Sequence, residues 1–161
     1  MAIDLETDLA ARAAELERWA YDWYERAVNQ YDLSVIDEKA SETFGCDNTT
    51  LWAVRGIKGN YESYERIHTA FPDGHFHIDD LFVKPDPVGG DTITVWYTFT
   101  GTHTGPLVLE GDRGTIPPTG RSVSVGGASL LYLQDWKMVA ARAISDMMQQ
   151  LGVMPPEPEH E

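Results

Sequence analysis

The chain has a single cysteine, Cys46, among its 161 residues, so no disulfide can form within it. Basic residues are scarce as well: 12 Lys and Arg stand against 26 Asp and Glu, a formal charge of −14. Such a chain repels polyphosphate, and it carries no Lys/Arg cluster, which argues against nucleic acid as a partner. An anionic membrane surface is disfavoured on the same grounds. No run of about 18 apolar residues exists, so no membrane-spanning helix is expected. The opening stretch MAIDLETDLAARAAELER lacks the basic start and apolar middle of a secretory signal. A cytoplasmic protein is the expectation. Also missing are HExxH, CxxC, GxGxxG, a Walker loop and GxSxG. No metal, no cofactor and no covalent nucleophile are therefore expected.

What is present runs helices first and strands second. Residues 5–30 carry Leu5, Leu9, Ala13, Leu16, Ala20, Trp23, Tyr24 and Ala27 at spacings of three and four, the period of an amphipathic helix. Asp4, Glu6 and Asp8 crowd its first turn, where the helix dipole favours negative charge. Ser34 opens a short second helix, with Asp37 in place of the usual Glu of a capping box. A third helix, over about 60–70, is expected to bury Tyr61, Tyr64, Ile67 or His68, and Phe71; Pro72 and Gly74 stop it.

Strands follow at 75–83, 92–100, 121–133 and 138–146. Alternation in TITVWYTFT sets Ile93, Val95, Tyr97 and Phe99 on one face. Carried forward, that phase puts His103 of GTHTG on the apolar face. Gly126-Gly127 suggest a bulge or bend, and QDWK a tight turn. The connections 84–91 and 134–137 are too short for βαβ crossovers. Helices set before an antiparallel sheet make the class α+β. A curved sheet around helices leaves a cavity at its mouth, a common place for a small ligand. One domain is expected over 1–154, with PPEPEHE at 155–161 as a disordered acidic tail.

Four stretches carry a resemblance: RGIKGNYESYERIHTAFPD (55–73), GTHTGP (101–106), IPPTGR (116–121) and SDMMQQLG (145–152). In that order and spacing the chain resembles the SnoaL-like polyketide cyclases of the NTF2-like superfamily, over roughly residues 20–153. The resemblance implies an α+β cone: a strongly curved antiparallel or mixed sheet wrapped around N-terminal helices, with an enclosed apolar pocket. It also implies a homodimer through the outer face of the sheet. The family's best-known activity is a cofactor-free intramolecular aldol closure. An aspartate on the last strand moves the proton, a histidine on the preceding strand assists, and Asn and Tyr side chains hold the substrate. This chain departs from that pattern. With Lys137 fixing the register, the aspartate falls on Ala143, the histidine on Ser129, the asparagine on Ser63 and the tyrosine on Val28. Alanine carries no proton and a lone serine is a poor base, so the aldol activity does not carry over.

Three other groups are then candidates for acid–base work. His103 sits in a motif the family shares; an imidazole is suited to serve as base or acid near neutral pH, or else it only braces the long 105–119 connection. Asp146 matches a second aspartate of the family's ending; it replaces the lost acid or caps the turn MMQQLG. Asp47 falls where the family often carries a polar segment that faces the pocket. It is a general base if burial raises its pKa, or simply a turn residue. Tyr24, Trp52, Tyr64, His68, Tyr97 and Ser129 are the expected substrate contacts, with rings stacking a flat ligand and hydroxyls orienting it. His75 and His77 share a strand face but have no third ligand, so they read as exposed strand histidines.

The leading expectation is a cofactor-independent enzyme of cyclase, isomerase or lyase type. It would move protons on a bulky apolar or aromatic metabolite. A non-catalytic small-molecule binding protein of the same fold is the alternative. An epoxide-opening enzyme is a third, but it requires an internal Asp/Arg/Asp set that is not found, and Arg142 is the one arginine on the last strand.

Overall fold

The computed structural model describes residues 5–48, 53–109 and 114–153; Trp52 and the 155–161 tail lie outside them. Helix α1 (Leu5–Trp23) runs directly into a π-helical turn (Tyr24–Asn29). Leu16, Trp19, Ala20, Trp23, Tyr24 and Ala27 are buried, as the three-four spacing requires, whereas Leu9 remains exposed. Helix α2 (Ser34–Lys39) does not form the expected capping box. Asp32 accepts the Ser34 N–H at 3.2 Å, while Asp37 accepts the Tyr61 hydroxyl at 2.7 Å. Helix α3 spans Gly56–Ala70, so it starts earlier than the sequence pattern suggested. Its inward face is largely the expected one: Tyr64 and Ile67 pack on the core, and Phe71 is buried just past its end. Asn60 and Ala70 are its buried residues, and Tyr61 turns out towards Asp37.

The main sheet has six strands: β1 (Ala40–Asn48), β2 (Ala53–Arg55), β3 (His75–Lys84), β4 (Asp91–Thr102), then β7 (Ser122–Gln134) and β8 (Lys137–Ser145). Strands β5 (Leu107–Val108) and β6 (Thr115–Ile116) form a separate two-stranded ribbon. The order across the large sheet is β2-β1-β8-β7-β4-β3. Every pairing is antiparallel except β1 with β8, which makes the sheet mixed. The sequence pattern did not announce β1, because ASETFGCDN lacks alternation; its backbone groups are satisfied by the free edge of β8 instead.

The sheet is curved and open, and with the helices it forms the NTF2-like α+β cone. Register shifts between Ile78 and Asp80, between Ala40 and Gly45, and between Tyr132 and Leu133 help to bend it. The bulge expected at Gly126-Gly127 does not occur: both glycines pair in unbroken register with Thr98 and Tyr97. At Gly127 the reason is room: a Cβ there would run into the Tyr97 ring, so only glycine lets that ring lie against the strand. The QDWK hairpin turns through Asp135 and Trp136 at φ of 48° and 63°, the positive pair that matches strand twist. Trp19 Nε1 donates to the Trp136 carbonyl at 3.1 Å and ties this turn to α1.

Strand β4 alternates cleanly: Ile93, Val95, Tyr97 and Phe99 are buried, while Trp96 on the outer face is 52% exposed. At its start, Asp91 is buried and held by the Arg12 guanidinium at 2.8 and 2.6 Å. Helix α4 (Met147–Leu151) closes the far end with Met147, Met148 and Leu151. Among the described residues no helix is long and apolar enough to cross a membrane.

Candidate functional site

Helices and concave sheet face enclose a cavity of about 140 Å³, neither sealed nor open like a surface groove. The end of α1 and the π-helical turn contribute Trp23, Tyr24 and Val28 to its wall. Helix α3 contributes Asn60, Ser63, Tyr64 and Ile67, which recur at the i, i+3, i+4, i+7 spacing of one helix face. The sheet adds Cys46 from β1, Phe76 from β3, Tyr97 and Phe99 from β4, Ser129 from β7 and Ala143 from β8. Ser129 and Ala143 sit directly opposite each other across the β7–β8 pair.

The wall is mostly apolar, and the polar groups set into it are uncharged. Burial pushes the Tyr24 and Tyr64 phenols well above their ordinary range and Tyr97 up to about 12. The Ser129 hydroxyl interacts with both Tyr24 and Tyr97 and offsets part of that effect. Tyr64 also accepts the Trp23 indole N–H at 3.0 Å, which fixes its hydroxyl against the helix. Burial drives the Cys46 thiol up to about 11, so it is no thiolate at neutral pH and no nucleophile. Among the described residues that line the cavity there is no Asp, Glu, His, Lys or Arg. The arrangement donates hydrogen bonds to an oxygen; it offers no ready base. Nor do the described residues include a group of three or more His, Cys, Asp or Glu placed to hold a metal ion.

Of the residues singled out in the sequence, Tyr24, Tyr64, Tyr97 and Ser129 come together on this wall. The four positions aligned with the family's working groups, Val28, Ser63, Ser129 and Ala143, line it too. His68 does not: it is exposed, stacked on Tyr31 at 4.1 Å, and borders a narrow side cleft behind Val28, Tyr64 and Ile67.

The three acid–base candidates lie elsewhere. His103 is fully buried, as its strand phase required, but it sits beyond the cavity against Phe71, 5.1 Å between ring centres. Its Nδ1 accepts the Thr119 N–H at 3.3 Å, and its backbone bonds to Gly120 and Arg121. Those contacts brace the 105–119 connection, and burial lowers its pKa. Asp47 is on the surface in a 2.7 Å ion pair with Arg55 across the β1–β2 hairpin. Asp146 precedes α4 without a side-chain capping bond; it accepts from Gln150 Nε2 at 3.2 Å and borders a groove on the outer side of the sheet.

Asn60, Cys46, Trp23 and Phe76 also line the wall and were not singled out as contacts. Asn60 had a signal: it stands one turn before Ser63 on the face that Tyr64 and Ile67 define. Phe76 had one too, since alternation sets it on the face opposite His75 and His77. Cys46 shares the Asp47 segment, but its direction is set by its strand partners.

These features define a class: an α+β cone around an uncharged internal cavity of ligand size. The chain belongs to the SnoaL-like polyketide cyclase family, whose sequence model matches residues 18–152. Membership suggests a cofactor-free function of cyclase or isomerase type. Among solved structures, a Jannaschia sp. CCS1 protein described as a SnoaL-like polyketide cyclase superposes with a TM-score of 0.72 at 20% identity, covering 89% of this chain and 95% of its own. TsrD of Streptomyces laurentii gives 0.69 at 24% identity, covering 88% and 97%. AclR of Streptomyces galilaeus, described as a hydroxylase, gives 0.66 at 23% identity, covering 91% of each chain. At these identities the likeness is one of fold. A search of functionally curated proteins gave no significant match.

Proposed function

We propose that this chain holds a small apolar ligand bearing a hydrogen-bond acceptor inside the cone and acts on it as a cofactor-free cyclase or isomerase through neutral donors. The supporting observation is the chemistry of the wall: three phenols, a carboxamide and a thiol, with alanine where the resemblance puts the aspartate. Preorganised donors in a water-poor site stabilise negative charge as it develops on an oxygen. An enol or enolate of the ligand is the species they favour. With no carboxylate or imidazole on the described wall, the proton leaves an acidic carbon, one between or beside carbonyls, for a water molecule, while the phenols stabilise the oxygen on which the electron pair comes to rest. Trp23, Phe76 and Phe99 meet the apolar skeleton.

The test uses phenylacetone in D₂O. Binding should raise the unfolding temperature in a concentration-dependent way, and NMR should show deuterium entering the α-carbon faster than in buffer. Tyr97→Phe should slow that exchange, by up to about 10²–10³-fold if its phenol is the main oxyanion donor. Binding with exchange at the buffer rate would identify a non-catalytic binding protein of the same fold. No binding of any apolar ring compound would end the proposal.

One observation favours a second reading, a carboxylate base acting at the cavity edge. Asp146 Oδ1 is buried without a hydrogen-bond partner, and Tyr97 and Ser145 line both the cavity and the groove that Asp146 borders. On this reading Asp146→Asn lowers exchange about 10²–10⁴-fold; an unchanged rate removes it.

We also propose that a second copy covers the outer sheet face. Trp96, Ala128 and Ile144 form one row across β4, β7 and β8, and Trp96 and Ile144 are more than half exposed. Asp80, paired with Trp96, and Arg142, next to Ile144, flank the row with opposite charges that a two-fold axis could bring together. Trp96→Glu should convert a dimer to a monomer in sedimentation; a wild-type monomer would refute the pairing.

A further inference from the structure

Asn60 is 4% exposed, lines the cavity, and its Nδ2 has no hydrogen-bond partner. Buried amide groups in folded proteins are nearly always paired, because an unpaired one has given up water without replacement. Nothing in the helix calls for an amide there. Position 60 lies on the face of α3 that continues through Tyr64 and Ile67, where an apolar residue would pack without loss. The neighbouring polar groups do not serve it: Tyr64 is engaged by Trp23, and Ser129 by Tyr24 and Tyr97.

Size and charge narrow what the amide meets. The cavity of about 140 Å³ is close to the ~150 Å³ of an apolar cavity known to take up benzene. That is room for one ring and a short substituent within the enclosed part. The described wall carries no cation, and the chain's charge is −14, so a carboxylate or phosphate ligand is disfavoured.

We infer that Asn60 is the specificity-determining residue of the cavity: its carboxamide donates to the carbonyl oxygen of a neutral, single-ring ketone, aldehyde or lactone. This rests on the reading that the cavity binds an apolar ligand. The family-aligned position on the same helix, Ser63, lies one turn further along, so Asn60 supplies the amide from a different place on the wall.

The test compares two nearly isosteric probes, acetophenone and α-methylstyrene, which exchange C=O for C=CH₂, with benzoate as a third. Wild type should bind acetophenone about two- to twelvefold more tightly than α-methylstyrene, the range for one neutral hydrogen bond. Benzoate should not bind. In Asn60→Leu the preference should shrink to what the phenols alone supply while α-methylstyrene still binds. Independently of any variant's folding, the carbonyl stretch of acetophenone bound to wild type should move to lower frequency than in hexane. Equal binding of both neutral probes by wild type, or an undiminished preference in Asn60→Leu, overturns the assignment while leaving the cavity reading intact. Failure of both neutral probes to bind overturns the two together.

Discussion

Replacing Ala143 by leucine tests whether the space beside it is empty. Ala143 lines the cavity from β8, opposite Ser129. A void of about 140 Å³ at ~24 cal/mol per Å³ corresponds to ~3.4 kcal/mol of forgone packing. Leucine adds three carbons, and at ~0.8 kcal/mol for each buried methylene they recover ~2.4 kcal/mol. Ordering the new side chain returns ~0.5–1 kcal/mol. The net gain is ~1.5–2 kcal/mol, which for a chain of this length raises the melting temperature by roughly 5 °C. The same substitution should abolish the phenylacetone-dependent shift, because the side chain occupies the ligand's place. Urea unfolding and scanning calorimetry, with and without ligand, read both quantities. A loss of stability greater than ~1 kcal/mol, the mark of overpacking, would show that no room exists at this wall. Retained ligand binding would show that the ligand sits elsewhere.

His103 gives a pH dependence. Burial lowers its folded pKa, so as pH falls through about 6.5 the unfolded chain takes the proton first. Its contribution to stability is therefore complete above that value and declines below it, down to the folded-state pKa. In His103→Gln the urea midpoint should lose the part of its decline between pH 7 and 5.5 that this imidazole causes; an identical decline in both proteins would sink the assignment. Gly127→Ala, whose Cβ would meet the Tyr97 ring, should cost about 1–3 kcal/mol. Gly126→Ala, with nothing within 4 Å, should stay within about 0.5 kcal/mol. Equal costs at the two glycines would refute the account of why Gly127 is glycine.

The sequence by itself determined the order of helices and strands, the α+β class, and the inward set of β4, because hydrophobic periods of 3.6 and 2 are local properties of the chain. It also determined that Tyr24, Tyr64, Tyr97 and Ser129 share one wall, once motifs in order identified the fold. It did not determine β1. That strand has no alternation of its own and exists because the edge of β8 satisfies its backbone. The same strand phase that correctly buried His103 could not say what it is buried against; that depends on Phe71 at the end of α3 and the 119–121 segment before β7 meeting the end of β4. Asp47 and Asp146 illustrate the same limit, since a carboxylate's side of the sheet follows from register and from the curvature set by bulges, not from its neighbours in sequence. Asn60 is the converse. Its helical face was legible, but its importance rests on the absence of a partner, and only packing in three dimensions decides which buried amide is left without one.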